Sequence, residues 1–218
     1  MTVFWLCFRI LKRRCSVTRK AEFVRKTNET SISASLLVEG TGQHQISTPI
    51  GFFTHLLQSF AFHGKFDLTL SATGDLQVDQ HHLVEDCGLV LGKAFQLALG
   101  EARGINRAGF FVMPMDEALA IVAVDLSGRP VLQYQASFRR RFCGDLDTDV
   151  LPDFFQALAT GLMANVVVRL PHGRSDHHKA EAAFKALGRA LRLACSLDPR
   201  EAEAMAEMLP SLKGVIDR

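Results

Sequence analysis

Apolar and polar residues alternate through residues 21–27 (AEFVRKT) and again through 31–38 (SISASLLV), the period of two that predicts strands; the EGTG after them predicts a turn. The spacing then changes. In GFFTHLLQSFAFHG (51–64), Phe52, Leu56, Ser59, Phe60, Phe62 and His63 recur near helical spacing, which predicts a helix. Alternation returns in KFDLTLSA (65–72), and from His81 to Leu99 the apolar positions predict a long helix closed by Gly100. The second half repeats this order. ALAIVAVDL (118–126) and VLQYQASF (131–138) predict a hairpin across the turn SGRP, residues 150–161 a helix with Pro152 in its first turn, and 164–170 a strand. PHGRSD then leads into a helix from about His177 to Ala194.

Each half therefore reads strand, strand, helix, strand, helix. The likeness extends to side chains: HLLQSFA (55–61) runs beside DFFQALA (153–159), matching Gln58 with Gln156 and Ala61 with Ala159. A twofold repeat of units too small to bury their own apolar faces predicts one α+β domain, internally duplicated, with the helices packed between two mostly antiparallel sheets. The repeats are expected at about 19–103 and 104–197 within a single domain reaching 214. Residues 1–18 are expected to be a tail or a mis-called start outside that domain: the apolar run Val3–Leu11 is broken by Arg9 and is far short of the roughly 20 residues a membrane span requires.

Composition narrows the partners. With 48% apolar residues the chain has ample material for a core, and 25 basic against 23 acidic residues give no overall field that calls for nucleic acid or a membrane surface. Any selectivity for anions must be local. Five cysteines without a CxxC pair suit a reduced, cytoplasmic protein better than a disulfide framework or a structural zinc site.

Candidate chemistry lies in two related segments, HHLVEDCGLVLGKAF (81–95) and HHKAEAAFKALGRAL (177–191). On a helix, residues four apart share a face and neighbours point about 100° apart, so His81 converges with Glu85 and His177 with Glu181, while His82 and His178 aim elsewhere. Imidazole and carboxylate at this spacing suit a divalent metal. One HHxxE is weak, since most such groups are solvated. Two at homologous places are a stronger signal, because a merely solvated face has little reason to keep both histidines and the glutamate twice. The duplication suggests two pseudo-equivalent centres: His177 and Glu181 with His82, and His81 and Glu85 with His178. The repeat alignment adds His55 to the first and Asp153 to the second.

These segments, with GDLQVDQHHLVED, RGINRAG (103–109), MDEALA (115–120), DLSGRP (125–130) and DHHKAEAAFKALGRAL, closely resemble imidazoleglycerol-phosphate dehydratases of histidine biosynthesis, over about Arg19 to Gly214. The resemblance implies dehydration of imidazole glycerol phosphate to imidazole acetol phosphate through an imidazolate or diazafulvene-like species, with two manganese ions per active site. It also implies a homo-oligomer, a shell of 24 subunits with active sites between them. One metal would be held by His55, His82, His177 and Glu181, the other by His81, Glu85, Asp153 and His178. Glu29 would do general acid/base work, His63 would lie in the substrate segment, and Arg107, Arg129, Lys185, Ser211 and Lys213 would contact the phosphate. Without the resemblance, Glu29 reads as an exposed strand-end carboxylate, Arg129 as a turn residue and Lys185 as a solvated helix charge.

Three positions depart from the family pattern. Thr54 stands where aspartate is usual, Gln58 replaces a more usual acid or polar residue, and Asp153 occupies a ligand place whose reference is histidine. Loss of an acid at 54 removes a carboxylate that could orient His55, and aspartate at 153 changes reach and charge at a metal. Two other readings of the same residues are a metal-assembled shell protein without activity and a dinuclear metallohydrolase of phosphate esters. A retained phosphate pocket argues against the shell.

Overall fold

The structure is a computed structural model and describes residues 18–197, 209–214 and 216. Apart from Thr18, the expected N-terminal tail lies outside the described residues. In chain order the elements are β1 (Lys20–Lys26), β2 (Thr30–Leu37), β3 (His44–Ser47), α1 (Gly51–Gly64), β4 (Asp67–Gly74) and α2 (His81–Leu99). There follow β5 (Ala108–Met115), β6 (Ala118–Asp125), β7 (Val131–Gln135), the two-residue strands β8 (Phe142–Cys143) and β9 (Leu146–Asp147), α3 (Leu151–Leu162), β10 (Asn165–His172) and α4 (Asp176–Cys195).

Two four-stranded sheets have the same topology, β1-β2-β4-β3 and β5-β6-β10-β7, each with two antiparallel pairings and one parallel pairing at the β3 or β7 edge. The duplication extends to register. Lys26 pairs with Ser31 and Pro114 with Leu119, 88 positions later; Leu36 pairs with Leu68 and Val124 with Val166, so the fourth strand is displaced by 98. The extra ten positions enter between β7 and α3, where the second repeat carries β8, β9 and a 3₁₀ turn at Thr148–Val150.

Two sequence expectations are corrected here. Residues 118–126 and 131–138 do not form a hairpin: β10 lies between β6 and β7 and pairs with both. The hairpin partner of β6 is β5, whose AGFFVMPM carries apolar residues on both faces and so lacks the alternation that identified the other strands. Each repeat also has a third strand before its first helix, β3 or β7. β3 is four residues long with a single buried position, too short to show a period.

Helix ends repeat as well. α1 and α3 each close on a left-handed residue that is not glycine, Lys65 (φ 58°) and Met163 (φ 57°), whose amides donate to the carbonyls of Ala61 and Phe62 or of Ala159 and Thr160. This return of the chain delivers each repeat into its fourth strand.

The repeats are interleaved across the core. α2 packs on its own sheet and on α3, while α4 packs on the second sheet and on α1, so each close helix pair draws one helix from each repeat. Glycines allow this approach: a Cβ on Gly188 would lie 2.4 Å from the Phe60 carbonyl oxygen, and one on Gly161 2.4 Å from that of Leu89. Phe53, Phe60, Phe66, Phe95, Phe154, Phe155 and Phe184 fill the space between the helices, all fully buried. Neither half could keep these rings from water alone.

Candidate metal and substrate site

The first turns of α2 and α4 and the middle of α1 carry the histidines. α4 starts cleanly because the Ser175 hydroxyl accepts from the His178 amide at 3.3 Å. α1 has no cap of its own; Asp145, from the inserted segment, accepts from the amides of Gly51 (2.6 Å) and Phe52 (2.8 Å). The same segment is held by Gln80, which donates to the Asp145 carbonyl and accepts from the Asp147 amide at the start of α2. It is held again by Asp176, which accepts from the amides of Arg139 and Arg140. Residues 139–147 thus tie together the helix ends that bear the site.

His55, His177 and Glu181 converge. Glu181 Oε2 lies 3.3 Å from His55 Nε2 and 3.1 Å from His177 Nε2, and one ligand atom from each of the three falls within 4.8 Å of the others. Phe52 packs on the His177 ring at 4.8 Å between centroids. The second oxygen of Glu181 faces Lys185 Nζ at 2.8 Å and the Ser59 hydroxyl. Burial pushes the Glu181 pKa up, but the hydrogen bonds from Lys185 and His55 outweigh it and hold the carboxyl at about 2. An ionised carboxylate between two imidazole nitrogens is a fitting donor set for a divalent cation such as manganese.

His81, Glu85 and Asp153 form a second group. His81 Nε2 is 3.4 Å from Glu85 and its Nδ1 is 3.1 Å from Asp153, so the two carboxylates address opposite ring nitrogens. Asp153 is therefore beside the expected ligands as well as in the first turn of α3. Neither group includes the neighbouring histidine of its HH pair. His82 turns Nδ1 to Asp75 (3.2 Å) and Nε2 toward Glu29 (3.9 Å). His178 turns Nδ1 to Glu117 (2.9 Å) and Nε2 toward Asp116 (3.6 Å). Each predicted ligand set thus has three members close together and its fourth, His82 or His178, in a different cluster of the same chain.

A profile of the family "Imidazoleglycerol-phosphate dehydratase" matches residues 48–191. The protein of that name from Koribacter versatilis is 52% identical over 198 residues, covering 91% of this chain and 100% of the relative. The chain belongs to that family. These dehydratases are hydro-lyases. The Legionella pneumophila histidine biosynthesis bifunctional protein HisB is 47% identical over 91% of this chain and 54% of its own length. Among solved structures, IGPD from Pyrococcus furiosus superposes with a TM-score of 0.74 at 35% identity, covering 88% of this chain and 99% of the other.

The residues that the imidazoleglycerol-phosphate dehydratase pattern links to phosphate fall into two places. Arg107 Nη1 donates to the Pro210 carbonyl, next to Ser211, and its Nε and Nη2 hold Asp125 at 2.7 and 3.1 Å. The Ser127–Arg129 turn follows directly after Asp125, and Leu126 donates to the Arg107 carbonyl. Arg107, Arg129, Ser211 and Lys213 are thus brought to one end of the second sheet, where Arg107 also donates to the Ala194 carbonyl near the end of α4. Lys185 is elsewhere, paired with Glu181. His63, on α1, faces the same side as Lys185; burial first, then the charges of Lys185 and Arg189, lower its pKa and favour the neutral ring.

Of the departures, Thr54 is spoken for: its hydroxyl meets that of Thr48 at 2.9 Å and accepts from the Thr48 amide. It orients the turn before α1, not His55. Three acids at the site were not singled out from the sequence, namely Asp75, Asp116 and Glu117. A signal existed for Glu117, which stands 88 positions after Glu29, the offset of the paired hairpins, and lies in the quoted MDEALA.

Proposed function

We propose that this protein dehydrates imidazole glycerol phosphate to imidazole acetol phosphate in histidine biosynthesis, in a cytoplasmic homo-oligomer with two manganese ions at each active site. The observation that carries this reading is the convergence of His55, His177 and Glu181, with a carboxylate kept ionised between two imidazole nitrogens. By the family pattern the second ion would take His81, Glu85, Asp153 and His178, and His82 would complete the first set. Because Glu85 and Asp153 face opposite nitrogens of His81, His81 with Glu85 would reach one ion together with Asp153 only if they came from different subunits.

The placement of the residues proposed to hold the phosphate supports a site shared between subunits. His177 and His178 begin α4, whereas Arg107, Arg129, Ser211 and Lys213 gather where it ends; His177 to Ala194 spans roughly 25 Å at about 1.5 Å per residue. A glycerol phosphate attached to an imidazole is far too short to bridge that distance. One subunit would therefore hold the ring while another holds the phosphate. The outer face of the second sheet suits such assembly, with Phe110 66% and Val112 47% exposed on β5 beside Leu119, Ile121 and Val167. The outer face of the first sheet is more polar, with Ser31, Ser33, Thr69, Ser71 and Thr73 around the exposed Val24. Large apolar faces of this kind mark interaction surfaces. A family 24-mer is the expected assembly.

In the reaction a proton leaves one carbon and hydroxide its neighbour. The two ions would supply Lewis acidity that favours a deprotonated ring; such a ring could release the electron pair that expels hydroxide from the carbon attached to it and recover a pair when the neighbouring carbon gives up its proton. Glu29 sits in the β1–β2 turn with its side chain about half exposed and 3.9 Å from His82, free to take and return a proton. Arg129 and Lys213 offer exposed cationic donors for a phosphate dianion, while Arg107 holds the segment bearing Ser211 in place. Lys185 keeps Glu181 charged. The buried thiols of Cys87 and Cys143 suit a reducing compartment, and no helix among the described residues is long and apolar enough to cross a membrane.

Purified protein incubated with manganese and imidazole glycerol phosphate should yield the enolisable ketone. Release of inorganic phosphate would point to a hydrolase, and no turnover with metal bound would point to an inactive shell.

A further inference from the structure

The two repeats present the same problem and meet it differently. His82 and His178 hold corresponding places in the paired HH segments, and each turns Nδ1 to a closely held carboxylate while Nε2 faces a more distant, exposed hairpin acid, Glu29 at 3.9 Å or Asp116 at 3.6 Å. For His82 the carboxylate is Asp75, the first residue after β4; both its oxygens lie 3.2 Å from Nδ1. The first residue after β10 is Gly173, which has nothing to offer. A side chain is excluded there: its Cβ would lie 2.6 Å from Lys179 Cγ and 3.0 Å from Ala118 Cβ. Lys179 cannot yield, because its ammonium is fixed between Asp176 and the Ser137 carbonyl, within the tie to the inserted segment.

With that position closed, the acid comes from the hairpin. Glu117 stands in the β5–β6 turn where Glu29 stands in the β1–β2 turn, with 88 positions between them in matched register. Its Oε2 accepts from His178 Nδ1 at 2.9 Å, and its Oε1 accepts from the Ser175 amide at 2.6 Å, next to the start of α4. Glu29 makes no such bond, lying 3.9 Å from Nε2 of an imidazole that Asp75 already holds.

We infer that Glu117 is the positioning residue that fixes the ring and tautomer of His178 for metal binding, and that Asp75 does the same for His82, leaving Glu29 alone of the two hairpin glutamates free for proton transfer. This rests on the metal reading proposed above. An imidazole whose Nδ1–H is held by a carboxylate presents Nε2 as a fixed, more basic ligand, and loss of such a partner costs roughly 10–100-fold in metal affinity. The two hairpin glutamates thus divide the labour: where a strand-end aspartate orients the histidine, the glutamate is left for the substrate.

The test is manganese binding by calorimetry, with unbound manganese counted by its EPR signal, for wild type, Glu117→Ala, Glu117→Gln and Glu29→Gln. Thermal unfolding of each metal-free protein is read alongside. Glu117→Ala should lose roughly 10–100-fold in affinity for one class of sites. Glu117→Gln, keeping one acceptor oxygen, should fall between it and wild type, and raising manganese should restore much of the Glu117→Ala turnover. Glu29→Gln should bind manganese like wild type while its turnover collapses. Equal manganese affinity in wild type and Glu117→Ala overturns this inference and leaves the proposed function standing. So does a Glu117→Ala protein that binds manganese normally but stays inactive at saturation, which would make Glu117 a catalytic group. A wild type that binds no manganese removes the metal reading and this inference with it. If Glu117→Ala fails to fold without metal, the Glu117→Gln affinity decides: parity with wild type overturns the inference, and a loss upholds it.

Discussion

Replacing Gly88 with alanine sets two effects of opposite sign against each other. Gly88 lies within α2, where alanine is favoured over glycine by about 1 kcal/mol through backbone entropy alone. Against this, the added Cβ would sit 2.3 Å from the Phe154 carbonyl oxygen, 3.1 Å from the Leu158 amide nitrogen and 3.2 Å from the Phe154 carbonyl carbon. Ordinary contact begins near 3.4 Å, so α2 and α3 must part by about 1 Å. All three atoms are backbone inside a helix, and no rotamer change relieves the clash. Overpacking of this kind costs about 1–3 kcal/mol, and with rigid atoms the upper part of the range applies, for a net loss of about 1–2 kcal/mol. The shift is also felt at the site, because α2 carries His81 and Glu85 while α3 carries Asp153, 3.1 Å from His81. Urea unfolding followed by circular dichroism at one fixed protein concentration, so that assembly does not move the midpoint, reads the first effect. Manganese titration reads the second and should show weakened binding. A midpoint equal to or above that of wild type would mean that the helices separate without cost, and the account of the glycine-mediated packing would be wrong.

Glu181→Gln should lower bound manganese and turnover together, measured by elemental analysis and product formation; full metal content with normal turnover would remove Glu181 from the ligand set. Arg129→Ala should weaken a phosphate-bearing inhibitor, seen as a raised Ki, with metal content unchanged; an unaltered Ki would count against a phosphate contact. Asp145→Ala removes the acceptor of two α1 amides and should cost about 0.5–2 kcal/mol in urea unfolding at pH 7. Burial raises the Asp145 pKa, but the amides of Phe52 and Gly51 outweigh it and the net shift is downward. Its contribution is therefore complete above the ordinary aspartate value of about 3.9 and fades as pH falls through the lowered folded value, so the gap between wild type and variant should close in acid. A gap that widened below pH 4 would contradict this sign.

The sequence by itself determined the parts governed by local period and by repetition. α1 and α2 occupy the predicted residues, since a helix that buries one face must place apolar residues every three to four positions, and the HH segments announced the duplication without any structure. Four ligand candidates, His177 with Glu181 and His81 with Glu85, were also legible, because spacing on one helix is local geometry. Tertiary structure decided the rest. β10 inserts between β6 and β7 although 131–138 follows 118–126 closely in sequence, because strand order is chosen by burial across the whole sheet and leaves no local mark. β5 escaped notice because both its faces are apolar, one facing the core and one facing outward. The convergence of His55 with Glu181, the approach of Asp153 to His81 and the tie of Arg107 to the segment bearing Ser211 all join residues far apart in the chain. The pairing of His82 with Asp75 and of His178 with Glu117 likewise joins segments outside any local period, and a Cβ at Gly173 would be crowded by Lys179 and Ala118. Such choices are set by packing between elements, and a linear pattern records only the faces that elements bury, not what they bury them against.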